Sequence, residues 1–227
     1  MKHPLDQPIY AALQTAHQSY ALGDQNACFY RKDIANFAGL KNYDEAGFKC
    51  LDEFSESGML HILFSPVQLS IPSNWKKIRH IDMFQLVYES DQIPAQKKEV
   101  AVQDLTKANV AEMLALVELT QPGPFLSQTI LLGNYTGVFE DGKLVAMAGH
   151  RFHPAPYIEV SAVCTHPDYL GKGYAYEIIR EQIRRILLKN QIPFLHVRQD
   201  NVGAIKLYEK LGFTIRTEMF AEVIGKY

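Results

Sequence analysis

Between residues 100 and 227 the apolar positions switch repeatedly between a two-residue and a 3.6-residue rhythm. Each switch marks an element. Val100 to Leu105 reads as a short strand, and Thr106 is placed to cap a helix whose stripe is Val110, Met113, Leu114 and Val117. Gln121-Pro122-Gly123-Pro124 stops that helix. Tyr135 to Glu140 and Lys143 to Phe152 are strand-like runs around Asp141-Gly142, a two-residue hairpin signal. Ile158 to Thr165 is the next strand. The helix that follows buries Ala175, Ile179, Ile183, Ile186 and Leu187, with acidic residues early and basic ones late, as the helix dipole favours. Pro193 to Gln199 returns to strand composition. Asn201 can cap a helix carrying Ala204, Leu207, Tyr208 and Leu211, and Gly212 ends it beside Phe213. Thr214 to Ile224 supplies a last strand or strand pair. The order β-α-β-β-β-α-β-α-β predicts an α/β fold, a mixed sheet with helices on its faces.

The first 95 residues carry a weaker pattern. Pro8 to Gln18 and Asp44 to Phe54 read as helices, the second with Phe48, Leu51 and Phe54 on one face. Ala27 to Arg31, Met59 to Phe64 and Ile78 to Glu89 have strand composition, while Pro66, Pro72 and the lone Trp75 fall in a connecting region. The polar run Ser90 to Lys98, interrupted by Pro94, is the best boundary. It divides an N-terminal α/β half, 1–95, from a C-terminal domain, 96–227. The first half holds no chemical motif.

Composition narrows the functions. With 47% apolar and 21% charged residues the chain of 227 is an ordinary globular one, and a net charge of −2 favours neither nucleic acid nor an anionic membrane. No apolar run reaches membrane-spanning length, and the N-terminal residues lack the apolar core of a secretory signal. Cys28, Cys50 and Cys164 show no metal-ligand spacing and fit reduced, packed thiols, which points to the cytoplasm and to no metal.

The most specific chemistry lies between Val163 and Ala175. A strand end, a turn with Gly171 and Gly173, and a helix start place the N–H groups of Gly171, Lys172, Gly173, Tyr174 and Ala175 in one outward-facing set. The helix dipole adds positive potential there, and two glycines clear side chains from the approach of a bulky anion. The turn reads as a cradle for a cofactor diphosphate.

Three ordered segments extend this reading. Glu159-Val160-Ser161-Ala162-Val163-Cys164-Thr165-His166-Pro167, Leu170-Gly171-Lys172-Gly173-Tyr174-Ala175 and Asn201-x-x-Ala204-x-x-Leu207-Tyr208-x-x-Leu211-Gly212-Phe213 resemble the fourth strand, the phosphate loop and the later strand–helix motif of the GNAT superfamily. The chain is most similar to the FR47-like group, related to the C-terminal half of glycine N-acyltransferases. The resemblance covers residues from about 98 to 224. It implies a mostly antiparallel, twisted sheet flanked by helices, with the N-terminal half either a degenerate copy of that fold or a cover for the acceptor cleft. It also implies acetyl-CoA or another acyl-CoA as co-substrate, and transfer to a primary amine by direct attack in a ternary complex. A small molecule or amino acid is the favoured acceptor, with no nucleic acid or membrane partner and with oligomerisation left open. A non-catalytic acyl-CoA-binding module and a protein or peptide N-acetyltransferase are the alternatives.

By the same resemblance, Val163 and Thr165 bond the pantetheine arm through their backbones, with Cys164 between them on the cofactor edge. Leu170, Gly171, Lys172, Gly173, Tyr174 and Ala175 hold the diphosphate. Leu170 stands where the family usually has Gln or Arg. Asn201 and Ala204 lie near the cofactor, although Asn201 also suits a helix cap and Lys172 a solvated loop. Tyr208 matches the tyrosine that protonates the departing thiolate; otherwise it is a core tyrosine on a helix face. Glu159 is the best candidate for general base, a carboxylate raised in pKa by burial and acting directly or through one water, with water itself the other proton acceptor, against the plainer reading of a solvated or salt-bridged strand carboxylate. His150, His153, His166 and His196 rank below it as bases. Cys164, alternating with Ile158, Val160 and Ala162, is expected to pack.

Overall fold

The structure is a computed structural model that describes residues 3–227. In the N-terminal half it contains α1 (Pro8–Leu13), the short strands β1 (Ala21–Gly23), β2 (Ala27–Tyr30) and β3 (Ala38–Leu40), α2 (Glu45–Phe54), β4 (Leu60–Ser65) and β5 (Trp75–Tyr88). The rest comprises β6 (Gln103–Asp104), α3 (Val110–Thr120), β7 (Thr136–Glu140), β8 (Lys143–His150), β9 (Tyr157–Thr165), α4 (Tyr174–Leu187), β10 (Ile192–Arg198), α5 (Val202–Leu211) and β11 (Phe213–Lys226). Local chemistry explains many boundaries. Asp44 caps α2 through Gly47 N–H at 2.8 Å, and Thr106 and Asn109 exchange caps ahead of α3. Asp141 and Gly142 both take positive φ, as the two-residue hairpin between β7 and β8 requires.

An eight-stranded sheet runs in the order β4-β11-β5-β10-β9-β8-β7-β6. Its pairs are antiparallel except β9 with β10, which run parallel over Ile192–Phe194. The mixed, mostly antiparallel sheet expected from the sequence is therefore present. On one face lie α4 and α5, burying Ile158, Val160, Tyr176, Ile179, Ile183, Leu195 and Tyr208 together. The opposite face is covered by α1 and the small β1-β2-β3 sheet over Phe64, Met83, Phe152 and Phe194, and by α3 over Tyr135, Met147 and Cys164.

The two halves share this sheet. β5 lies between β10 and β11, and β4 extends its edge, so the segment around 95 separates no two sheets. Trp75, expected in a connection, begins β5 and is buried. The first helix is shorter than expected, ending at Leu13, and of the two alternatives for residues 214–224, one strand or a pair, the single strand is present.

Candidate active site

The site begins where two strands part. β9 and β10 pair only as far as Glu159 and Phe194; beyond that β10 follows β5, while β9 continues on β8 to Thr165. His166 N–H bonds to Val145 O on the β8 side at 2.7 Å. By strand alternation, Val163 and Thr165 turn their main-chain groups the other way, toward the gap that β10 leaves. The result is a short strand edge inside the sheet that no neighbouring strand pairs.

A bulge sets this edge. Ser161 pairs with Gly149 and Cys164 with Met147, so β9 holds one extra residue there, and Ala162 sits at φ 52°. The bulge resets the facing of the strand. Ile158, Val160 and Val163 pack toward α4, but Cys164 turns to the α3 face. The simple alternation read from sequence fails at this point, although the packing role holds: Cys164 is buried and its thiol is pushed up to about 11 by burial.

At the end of β9 the chain makes a turn capped by His166 Nδ1, which accepts Asp168 N–H at 3.2 Å, and then enters the glycine loop. Gly171 and Gly173 hold φ of 75° and 85°, and nothing lies within 4 Å of where either would carry a Cβ. The first backbone bond of α4 joins Glu177 N–H to Gly173 O, so the N–H groups of Tyr174, Ala175 and Tyr176 precede the helix ladder. Positive φ, open space and unladdered donors coincide, and these residues fit a diphosphate. Leu170 points outward and is 66% exposed, so its side chain lines no enclosed surface. Asn201 spends its Oδ1 on Ala204 N–H at 3.1 Å, the helix-cap role. Thr165 Oγ1 is buried and has no hydrogen-bond partner.

Tyr208, on α5, packs in one cluster with Val160 of β9 and Tyr176 of α4. Its neighbours are apolar, and burial pushes the phenol up to about 12, so it holds its proton at neutral pH.

Glu159 departs from expectation. Its side chain is sealed from solvent, yet Arg151 donates to both carboxylate oxygens, Nε to Oε2 at 2.7 Å and Nη2 to Oε1 at 2.6 Å. His196 Nδ1 lies 2.6 Å from Oε1. Burial alone raises a carboxyl pKa, but these partners outweigh it and hold Glu159 down at about 2. The raised carboxylate read from sequence is thus corrected: Glu159 is a paired anion.

The pair belongs to a rib of polar side chains crossing the sheet. Gln85 Nε2 bonds Leu5 O at 2.8 Å and His196 Nε2 at 3.0 Å, which leaves the His196 proton on Nδ1, toward Glu159. Gln85 Oε1 accepts from Arg216 Nη1 at 2.8 Å, and Arg216 Nη2 reaches Asp6 at 2.6 Å. Arg216 falls at the break in register between Ile215 and Thr217 of β11. The Arg151 guanidinium also lies over the rings of Phe37, Phe64 and Phe152. Sequence reasoning passed over Arg151, Gln85 and Arg216; the available signal was polar residues inside apolar strands. His150 is fully buried, with neither ring nitrogen partnered, and burial lowers it to about 2, while His153 is lowered to about 4. Among the described residues no group of three or more His, Cys, Asp or Glu side chains could hold a metal ion, and no helix is long and apolar enough to cross a membrane.

The chain and its fold have known counterparts. The family model for FR47-like proteins matches residues 135–221. A solved GNAT-family protein from Novosphingobium aromaticivorans is 33% identical to this chain, superposes with a TM-score of 0.91, and is covered over 100% of both chains. The chain belongs to the GNAT family of acetyltransferases. A GCN5-related N-acetyltransferase from Kribbella flavida shares the fold at 12% identity, with a TM-score of 0.64 over 96% of this chain and 94% of its own. The N-alpha-acetyltransferase RimI of Mycobacterium tuberculosis is 33% identical over 84 residues, 35% of this chain. The chain spans about half the length, 51%, of that curated relative.

Proposed function

We propose that this GNAT protein transfers an acyl group from acetyl-CoA, or another acyl-CoA, to a primary amine. The observation that carries the reading is the continuity of the free β9 edge at Val163 and Thr165 with the open glycine loop at the start of α4. One strip of main-chain donors and acceptors suits a pantetheine arm and a diphosphate in series. The co-substrate supplies an activated thioester. The chain's own residues do the rest. Gly171 to Ala175 bind the diphosphate, Val163 and Thr165 align the arm, and the amine attacks the thioester carbonyl directly. Tyr208, kept protonated by its apolar surroundings, donates its proton to the departing thiolate. The amine loses its proton to water. Glu159, with both oxygens filled and its pKa low, is assigned to holding the parting point of β9 and β10 rigid.

Tyr208→Phe tests the acid. It is expected to lower turnover by roughly 10²–10⁴-fold while leaving CoA affinity, measured calorimetrically, unchanged. Turnover equal to wild type would remove Tyr208 from the mechanism. A small amine or amino acid is the first acceptor to screen by thiol release. The RimI match motivates a second reading, a peptide N-terminus, and release with N-terminal peptides but not small amines would favour it. CoA binding without release from any amine would favour a non-catalytic module.

A further inference from the structure

The segment that follows β5 is a strap laid along α4. Arg180 Nε donates to Pro94 O at 2.7 Å, and Tyr176 Oη to Ala95 O at 3.0 Å. Glu177, nearly sealed from solvent, accepts the backbone N–H groups of Lys97 and Lys98 on the same oxygen, at 2.7 and 2.9 Å. These four bonds tie residues 94 to 98 to the first two turns of α4, starting at Arg180 and ending at Glu177. The strap ends at the glycine loop: Lys98 Nζ lies 3.4 Å from Lys172 O and 4.9 Å from the centre of the Tyr174 ring. Lys172 Nζ lies over the Tyr169 ring. Among the described residues neither ammonium forms a salt bridge; the nearby Glu140 carboxylate is bonded to the Tyr174 hydroxyl.

We propose that Lys98 is a positioning residue for the acyl-CoA diphosphate, delivered to the phosphate loop by the strap between the two halves of the chain. The C=O and N–H of a trans peptide point in opposite directions. An ammonium on the Lys172 carbonyl therefore fixes the Lys172–Gly173 peptide with its N–H aimed away from the strap, toward the open side of the loop. The same ammonium adds positive charge beside the anion site without occupying it. Lys97, one residue earlier, sends its ammonium over the Tyr176 ring at 4.8 Å and does not touch the loop. Position within the strap, not charge alone, selects Lys98. The inference rests on the acyl-CoA reading above.

The test is calorimetric titration of the full chain with coenzyme A. Lys98→Met is expected to bind about fivefold more weakly, the scale of one exposed charge contact. Lys98→Arg should restore affinity to within twofold of wild type, because guanidinium also reaches a carbonyl, and Lys97→Met, with the same change in net charge, should match wild type. A Lys98→Met protein that binds within twofold of wild type overturns the assignment, as does Lys98→Arg binding as weakly as Lys98→Met. Wild-type protein that yields no binding heat with coenzyme A instead overturns the cofactor reading itself, so the two failures are distinguishable.

Discussion

The glycine loop ahead of α4 and the polar rib at the parting of β9 and β10 are built in two different ways. The loop is open and local: Gly171 to Ala175 present main-chain donors, and the side chains largely keep out of the way. The rib is long-range and runs from the partly exposed Asp6–Arg216 pair to the sealed Glu159 and His196: Asp6, Gln85, Arg151, Glu159, His196 and Arg216 come from distant parts of the sequence and use side chains almost exclusively. A backbone site tolerates side-chain change wherever conformation is preserved. A buried ionic site tolerates little change at any one member, because every removed partner leaves another charge uncompensated.

The two therefore separate under mutation. Arg151→Met leaves Glu159 sealed with only His196, and it is expected to cost about 3–5 kcal/mol in urea unfolding. Replacing both members of the ion pair, Arg151→Met with Glu159→Leu, should recover part of that loss, because no buried charge is left unpaired while the sealed His196 Nδ1–H loses its acceptor. A double variant as unstable as the single one would mean that the rib stabilises as a whole and not through its charge pair. The loop should respond differently. Gly173→Val forces a β-branched residue to a φ near 85°, a strain of about 1–3 kcal/mol, and is expected to abolish measurable coenzyme A binding while the protein remains folded. Wild-type affinity in that variant would break the contrast, because the loop would then not depend on its backbone conformation.

The same difference decides what the sequence could reveal. The loop was legible because its chemistry is local: two glycines at a strand–helix junction specify positive φ and exposed donors without knowledge of any partner. Most helices and strands of the C-terminal half followed from periodicity, including the Asp141-Gly142 hairpin and the Asn201 and Thr106 caps, but the strand expected over Val100 to Leu105 is only Gln103–Asp104. Glu159 could be named, but its charge state could not, since Arg151 lies beyond a turn and His196 on the neighbouring strand. Burial predicts a raised carboxyl only when no cation is buried with it. The bulge at Ala162 was hidden for the same reason: Gly149 and Met147 on the facing strand define it. β5 was recognised as a strand, but not its insertion between β10 and β11, because residue pairing across more than a hundred positions leaves no local trace.

A smaller effect distinguishes the sealed interior from the open edge by pH. His150 is buried with both ring nitrogens unpartnered, and it faces Gln182, His153, Arg185 and Lys189, none of which offers an anion. Its pKa in the folded protein is lowered to about 2, against 6.5 when unfolded. The unfolded chain therefore binds the proton first, and stability present above pH 6.5 is lost as pH falls below that value. Between pH 7.5 and 5.5 this histidine alone should cost about 1.4 kcal/mol. His17, His61 and His153, lowered to about 3, 4 and 4, add losses of the same sign. Glu159 is also lost toward acid, but only as pH falls from about 4.5 toward 2, outside this window. His150→Gln should accordingly shrink the stability difference between pH 7.5 and 5.5 by about 1.4 kcal/mol, read from urea midpoints at the two pH values. An unchanged difference would mean that the histidine is solvated or partnered in the folded protein, and the interior behind β8 would be wetter than its packing implies.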